Sequence, residues 1–142
     1  MTSRIYLDSC VLIYLLEGER ELSQEVQAMV KEAAAESELC VSDLTRLECR
    51  VGPIRQGDAA LLELYDRFFT SDGVVHLPVG SATFELATEL RAHHGPKTPD
   101  ALHLAAAILG QCSSFWTNDH RLAAAAKGRI DLNLVPSPAG PE

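Results

Sequence analysis

The chain has 142 residues, 46% of them hydrophobic, and 20 acidic side chains against 12 Lys and Arg, for a formal net charge of −8. That length and apolar content suit one folded domain with a proper core. The acidity, taken alone, argues against a nucleic-acid binder, because phosphate binding calls for a basic surface.

In chain order, RIYLD at residues 4–8 is short and apolar and reads as a buried strand. Ser9 is placed to cap a helix through VLIYLLEGE. ELSQEVQAMVKEAAAESE has helical composition, with Leu22, Val26, Met29, Val30 and Ala33 on one face. LCVS is a second strand, and Ser42 is placed to cap the helix DLTRLECRV, which Gly52-Pro53 is expected to end. DAALLELYDRFFTSD is amphipathic and helical, VVHLPV is a third strand, and SATFELATELRAHHG is a helix stopped at Gly95-Pro96. Thr98 as cap and Pro99 as first helical residue open DALHLAAAILG. SSFWT is a fourth strand, NDHRLAAAAKG a helix, IDLNLV a fifth strand, and PSPAGPE a loose tail. Residues 1–135 are thus expected to form a single domain and 136–142 the tail.

Strands alternating with helices imply an α/β fold with a mostly parallel, helix-covered sheet. Nothing is long and apolar enough to span a membrane, and the N-terminus lacks the features of a signal peptide, so the cytoplasm is the expected location. The four cysteines, Cys10, Cys40, Cys49 and Cys112, form no C-x-x-C pair, and reduced thiols rather than a zinc site are expected.

Four acids stand in awkward places. Asp8 interrupts the apolar run RIYLDSCVLIYLL, Glu48 edges an apolar helical stripe of Leu44, Leu47 and Val51, Asp100 opens the most apolar helix, and Asp119 follows the fourth strand. Each has a plain structural role open to it: helix capping for Asp100 and Asp119, a turn for Asp8, a solvated face for Glu48. Together they suggest more. In a parallel sheet all four can converge at the carboxyl ends of the strands, where such sheets bind ligands. Clustered carboxylates repel one another, and a divalent cation removes the repulsion. An all-carboxylate set favours Mg2+ or Mn2+ over zinc, and such ions support phosphodiester hydrolysis. They would also supply the positive charge that the composition lacks.

Four short motifs follow in order: D-S-x-x-x-I-Y from Asp8, T-R-x-E ending at Glu48, T-P-D-A-L-H-L-A-x-A around Asp100, and F-W-T-N-D ending at Asp119. From Ile5 to about Val135 the chain resembles the PIN-domain family, and within it the VapC-type toxin ribonucleases of bacterial toxin–antitoxin modules. The resemblance implies a three-layer α/β/α sandwich and metal-dependent cleavage of RNA. It implies Asp8, Asp100 and Asp119 as principal metal ligands and catalytic acids, with Glu48 assisting directly or through water. Thr117 matches a position that orients a ligand or water, and Ser9 lies beside the first acid. A homodimer and a cognate antitoxin that blocks the site are implied as well.

Arg46 and Arg50, flanking Glu48, and Arg121, after Asp119, are candidate phosphate contacts, with surface solubility or salt-bridging as their alternative. His103, three residues after Asp100, is expected to have a hydrogen-bonding structural role rather than to be a ligand. Trp116 reads as core. Two other functions stay open: a nuclease or phosphatase of the same fold with a housekeeping substrate, and a non-catalytic module that holds a metal or a protein.

Overall fold

A computed structural model describes residues 2–138. Its elements are β1 (Ser3–Leu7), α1 (Ser9–Glu17), α2 (Arg20–Ala34), β2 (Ser37–Ser42), α3 (Asp43–Gln56), α4 (Ala59–Phe69), β3 (Val74–Leu77), α5 (Ser81–His94), α6 (Thr98–Leu109), β4 (Ser114–Thr117), a 3-10 turn (His120–Leu122), α7 (Ala123–Ala126) and β5 (Asp131–Leu134). The five strands form one sheet in the order β3-β2-β1-β4-β5, and every pairing is parallel.

The period-two alternation of the strands sorts the core into two layers. Ile5, Leu7, Leu39, Val41 and Trp116 pack with Val11, Leu12, Val26, Val30, Cys49, Tyr65 and Phe69 of α1 to α4. Tyr6, Cys40 and Phe115 face the other way, against Leu90 of α5, Leu102, Leu104 and Ala105 of α6, and Ala125 of α7. Helices on both faces of a parallel sheet make the three-layer α/β/α sandwich that the sequence leads one to expect. Side chains such as Leu12, Leu90 and Leu104 are wholly buried, and each contributes roughly 1.5–3 kcal/mol by leaving water.

Strand order places the topological switch between β1 and β4: the chain runs outward through β2 and β3, then returns to pair β4 with the other edge of β1. The residues that follow β1 and β4 therefore meet at the carboxyl end of the sheet. The Asp8 amide donates to the Trp116 carbonyl at 3.0 Å, which ties the two strand ends together.

Several local expectations are corrected. Asp8, not Ser9, caps α1, since its Oδ1 accepts from the Ser9 amide at 2.8 Å. α3 does not stop at Gly52-Pro53 but runs on to Gln56. Proline removes only one donor, and Pro53 is itself buried on the packed side of the helix. The stop comes instead at Gly57, whose φ of +68° favours glycine and whose amide donates to the Ile54 carbonyl. α6 begins one residue earlier than expected, with Lys97 as cap. After Asp119 the chain forms a 3-10 turn and one helical turn rather than a continuous helix. Of the expected C-terminal tail, residues 136–138 follow β5 without regular structure, and residues 139–142 lie outside the described residues.

Candidate active site

Asp8 stands at the end of the central strand and is 8% exposed. Burying an ionised carboxylate is costly without partners, and the fold supplies them. Its Oδ1 accepts from the Ser9 amide and its Oδ2 accepts from the Thr117 hydroxyl, both at 2.8 Å. Thr117 ends β4, is fully buried, and also accepts from the Asp119 amide at 3.2 Å. Thus Thr117 links the two acids that follow neighbouring strands.

Glu48 reaches this point from the second turn of α3. Its Oε1 accepts from the Ser9 hydroxyl at 2.9 Å and from His103 Nε2 at 2.5 Å. Burial pushes the Glu48 carboxyl up, but the hydrogen bonds from His103 and Ser9 and the nearby imidazole outweigh it and hold the group below the usual carboxylate range. His103 is 1% exposed, and its Nε2 lies 3.8 Å from Asp8 Oδ1. Ligand atoms of Asp8, Glu48 and His103 all lie within 4.8 Å of one another.

Asp100 sits in the first turn of α6, half-buried. Unlike Asp8 and Asp119, it caps nothing, and it accepts no hydrogen bond among the described residues. Burial, then the charges of Asp8 and Asp119, and more weakly that of Glu48, raise its carboxyl above the usual range, with His103 opposing. Asp119 stands in a different state. Its Oδ1 accepts from the Arg121 amide at 2.9 Å, and its two oxygens receive Arg121 Nε at 2.9 Å and Nη2 at 3.0 Å. That two-pronged pairing holds Asp119 below the usual range. Asp100 and Asp119 line one hollow of about 190 Å³ with His94, Lys97 and Arg121.

The structure thus brings the four sequence-nominated acids near one another at one end of the sheet: Asp8 joined to Glu48 through Ser9, Asp119 to Asp8 through Thr117, and Asp100 electrostatically to all three. The arginines divide. Arg121 lies on the hollow but is clasped to Asp119. Arg50 pairs with Asp66 of α4 at 2.8 Å, and Arg46 and Arg50 line a separate depression along α3 with Leu47, Val51 and Ile54. His103 has the hydrogen-bonding role expected for it, with a partner on each ring nitrogen. Sequence reasoning missed Lys97 at the hollow and Tyr6 behind the site. Tyr6 lies in an apolar strand and reads as core. Only its pairing with β2 and the placement of α6 reveal that its hydroxyl meets His103.

The donor set suits a hard divalent cation. It is rich in carboxylate oxygens, lacks cysteine ligands, and contains an acid, Asp100, that accepts no hydrogen bond among the described residues and that burial and the neighbouring acids push above the usual carboxylate range.

A family model for the PIN domain matches residues 5–128. The chain belongs to the PIN domain family. Solved structures agree on the fold. VapBC2 from Rickettsia felis, bound to a DNA fragment from its promoter, superposes with a TM-score of 0.76 at 13% identity, over 94% of this chain and 99% of that one. DNA-bound VapBC from Salmonella typhimurium gives a TM-score of 0.70 at 14% identity, over 93% and 98%. VapC20 from Mycobacterium tuberculosis, a toxin that cleaves the sarcin-ricin loop, gives 0.70 at 16% identity, over 89% and 97%. A comparison with curated protein sequences finds no match. In this PIN domain no helix among the described residues is long and apolar enough to cross a membrane.

Proposed function

We propose that this PIN domain is a metal-dependent endoribonuclease that hydrolyses RNA phosphodiester bonds and serves as the toxin of a toxin–antitoxin pair in the cytoplasm. The observation that carries the reading is Asp100, an unpartnered carboxylate held against three others at the switch point of a parallel sheet. Such a site is a poor place for four negative charges and a good place for Mg2+ or Mn2+. Asp8, Asp100 and Asp119 are the metal ligands in this reading, and Glu48 assists them.

A divalent cation bound there supplies Lewis acidity and a water of lowered pKa, the two needs of phosphodiester hydrolysis. The protein's own residues hold the acids in place. Ser9 fixes Glu48, Thr117 fixes Asp8, and the Asp8 amide locks β1 to β4 beneath them. Lys97 on the rim of the hollow offers positive charge to a phosphate.

Likeness in fold to a toxin–antitoxin complex from Klebsiella pneumoniae and to a VapBC-family toxin–antitoxin system from Mycobacterium tuberculosis supports the antitoxin partner. An exposed apolar strip on α3, with Leu47 57% and Ile54 56% exposed, supports a homodimer. Sedimentation of the unaltered protein and of Leu47→Lys tests this, and a monomer in both cases removes the dimer.

The decisive experiment incubates the purified chain with RNA in Mg2+ or Mn2+, with and without EDTA, and sequences cellular RNA ends after induction beside Asp8→Asn. Cleavage that needs the metal and disappears with Asp8→Asn is the expected result. Full cleavage in EDTA overturns the metal mechanism, and identical RNA ends in the two strains overturn the nuclease.

A further inference from the structure

Behind Glu48 lies a buried polar chain that the nuclease reading does not use. Tyr6 is wholly buried in the middle of β1, its ring stacked on Phe115 with centroids 5.4 Å apart. A phenylalanine would fill this apolar layer equally well. The hydroxyl nevertheless has three polar neighbours: Ser42 Oγ at 2.8 Å, Thr45 Oγ1 at 3.2 Å and His103 Nδ1 at 2.7 Å. The far side of the same imidazole donates from Nε2 to Glu48 Oε1 at 2.5 Å. Tyr6, His103 and Glu48 come from a strand and two different helices, so no local turn requires the contact.

Both ring nitrogens of His103 are engaged, one by Tyr6 and one by Glu48. The ring is enclosed at 1% exposure, while the Glu48 side chain is 28% exposed. Imidazole in this arrangement has no nitrogen left for a cation, whereas Glu48 keeps its second oxygen, Oε2, free of any hydrogen bond among the described residues. A histidine pinned on one nitrogen and donating from the other to a carboxylate fixes the orientation of that carboxylate. The Ser42 amide donates to Thr45 Oγ1 at 3.2 Å, which in turn fixes the hydroxyl beside Tyr6 at the start of α3, the helix that carries Glu48.

We propose, on the basis of the nuclease reading, that Tyr6 and His103 are positioning residues that hold Glu48 toward the cation, and that His103 is not itself a metal ligand. Tyr6 anchors the ring, the ring aims Oε1, and Oε2 is left for the ion or its water. Outer partners of this kind typically govern metal affinity by roughly tenfold to a hundredfold.

The test measures Mn2+ binding by titration calorimetry and the Mn2+ environment by electron spin-echo modulation. The proteins are the unaltered chain, Tyr6→Phe, His103→Met and His103→Gln, with folding checked by circular dichroism. Tyr6→Phe keeps the stacked ring and removes only the hydroxyl. His103→Met keeps the volume and removes the donor, and His103→Gln returns an N–H at similar reach. The expected result is Mn2+ affinity lowered about tenfold or more in His103→Met, lowered less in Tyr6→Phe and partly restored in His103→Gln, with no directly bound nitrogen in the spectrum of the unaltered protein. A directly coordinated imidazole nitrogen overturns the assignment, as does folded His103→Met that binds Mn2+ as tightly as the unaltered chain. If His103→Met fails to fold, Tyr6→Phe decides, and undiminished affinity there overturns the relay. An unaltered chain that takes up no Mn2+ overturns the nuclease reading and the relay with it, an outcome distinct from the others.

Discussion

Asp8 and Asp100 belong to one group of acids but have opposite surroundings. Asp8 receives two hydrogen bonds from its own fold, and Asp100 receives none among the described residues. Asp8→Asn retains the helix cap, because asparagine caps about as well as aspartate. It loses at most one bond worth about 1 kcal/mol, or a few degrees of Tm. RNA cleavage by the same variant should fall by roughly a hundredfold or more if the acid holds the metal. The two measurements together separate chemistry from folding. Asp100 and Glu48 should respond to acid in opposite senses. The raised carboxyl of Asp100 binds its proton more tightly folded than unfolded, so its ionisation works against the fold as pH rises through its folded pKa. Asp100→Asn should therefore raise the metal-free Tm at neutral pH, with the gain vanishing as the solution is acidified. The lowered carboxyl of Glu48 stabilises the fold above the unfolded pKa and ceases to do so as pH falls through the folded one. Glu48→Gln should therefore lower the Tm at neutral pH, with the deficit closing in acid. Melting curves in chelator between about pH 3 and 7 check both signs. Equal pH profiles for the two variants would contradict the assigned surroundings.

Among the elements, the strands and the face each residue takes were legible because alternation is local: Ile5 and Leu7 go to one layer and Tyr6 to the other. The convergence of Asp8 and Asp119 was legible for a related reason. In a parallel sheet every strand ends on the same side, so an acid after each strand is enough to place it. The end of α3 was not legible. Gly52-Pro53 reads as a stop, yet the helix tolerates both residues and ends four residues later at Gly57. Local signals rank candidate stops, but the tertiary packing of Pro53 decides between them. Gly57→Ala puts a Cβ on a left-handed residue and should cost about 1 kcal/mol, lowering Tm by roughly 3–4 °C. Mn2+ affinity should stay unchanged, since Gly57 lies more than two helical turns beyond Glu48 in α3. The clasp of Arg121 on Asp119 realises the salt-bridging alternative that the sequence left open beside a phosphate contact. The 3-10 turn decides between the two by folding Arg121 back onto the acid two residues earlier.

For the molecule as a whole, the net charge of −8 is reconciled by where the acids lie. Glu17, Glu19, Glu21 and Glu25 line a cleft between α1 and α2 with Ile13, Tyr14 and Leu22, and none of them borders the hollow of Asp100 and Asp119. The rim of that hollow carries Lys97, with Arg121 already clasped to Asp119, so the bulk composition alone does not describe the charge there. Cation binding should be visible in the stability of the entire domain. At a hundredfold excess over Kd, a ligand specific for the folded state adds about 2.7 kcal/mol, or roughly 8–10 °C for a chain of this size. Differential scanning calorimetry with Mn2+ checks this, and an unchanged Tm at millimolar Mn2+ would argue against the site. The central position of β1 has a consequence during synthesis. β1 is made before the other strands of the sheet, yet its second neighbour, β4, carries Thr117 and leads into Asp119, three strands later in the chain. A nascent chain that stops short of β4 lacks both the strand that pairs with the second edge of β1 and Asp119, one of the four acids. If the protein is a toxin, a ribosome that stalls before β4 releases a harmless fragment, and lethality waits until Asp119 has been made.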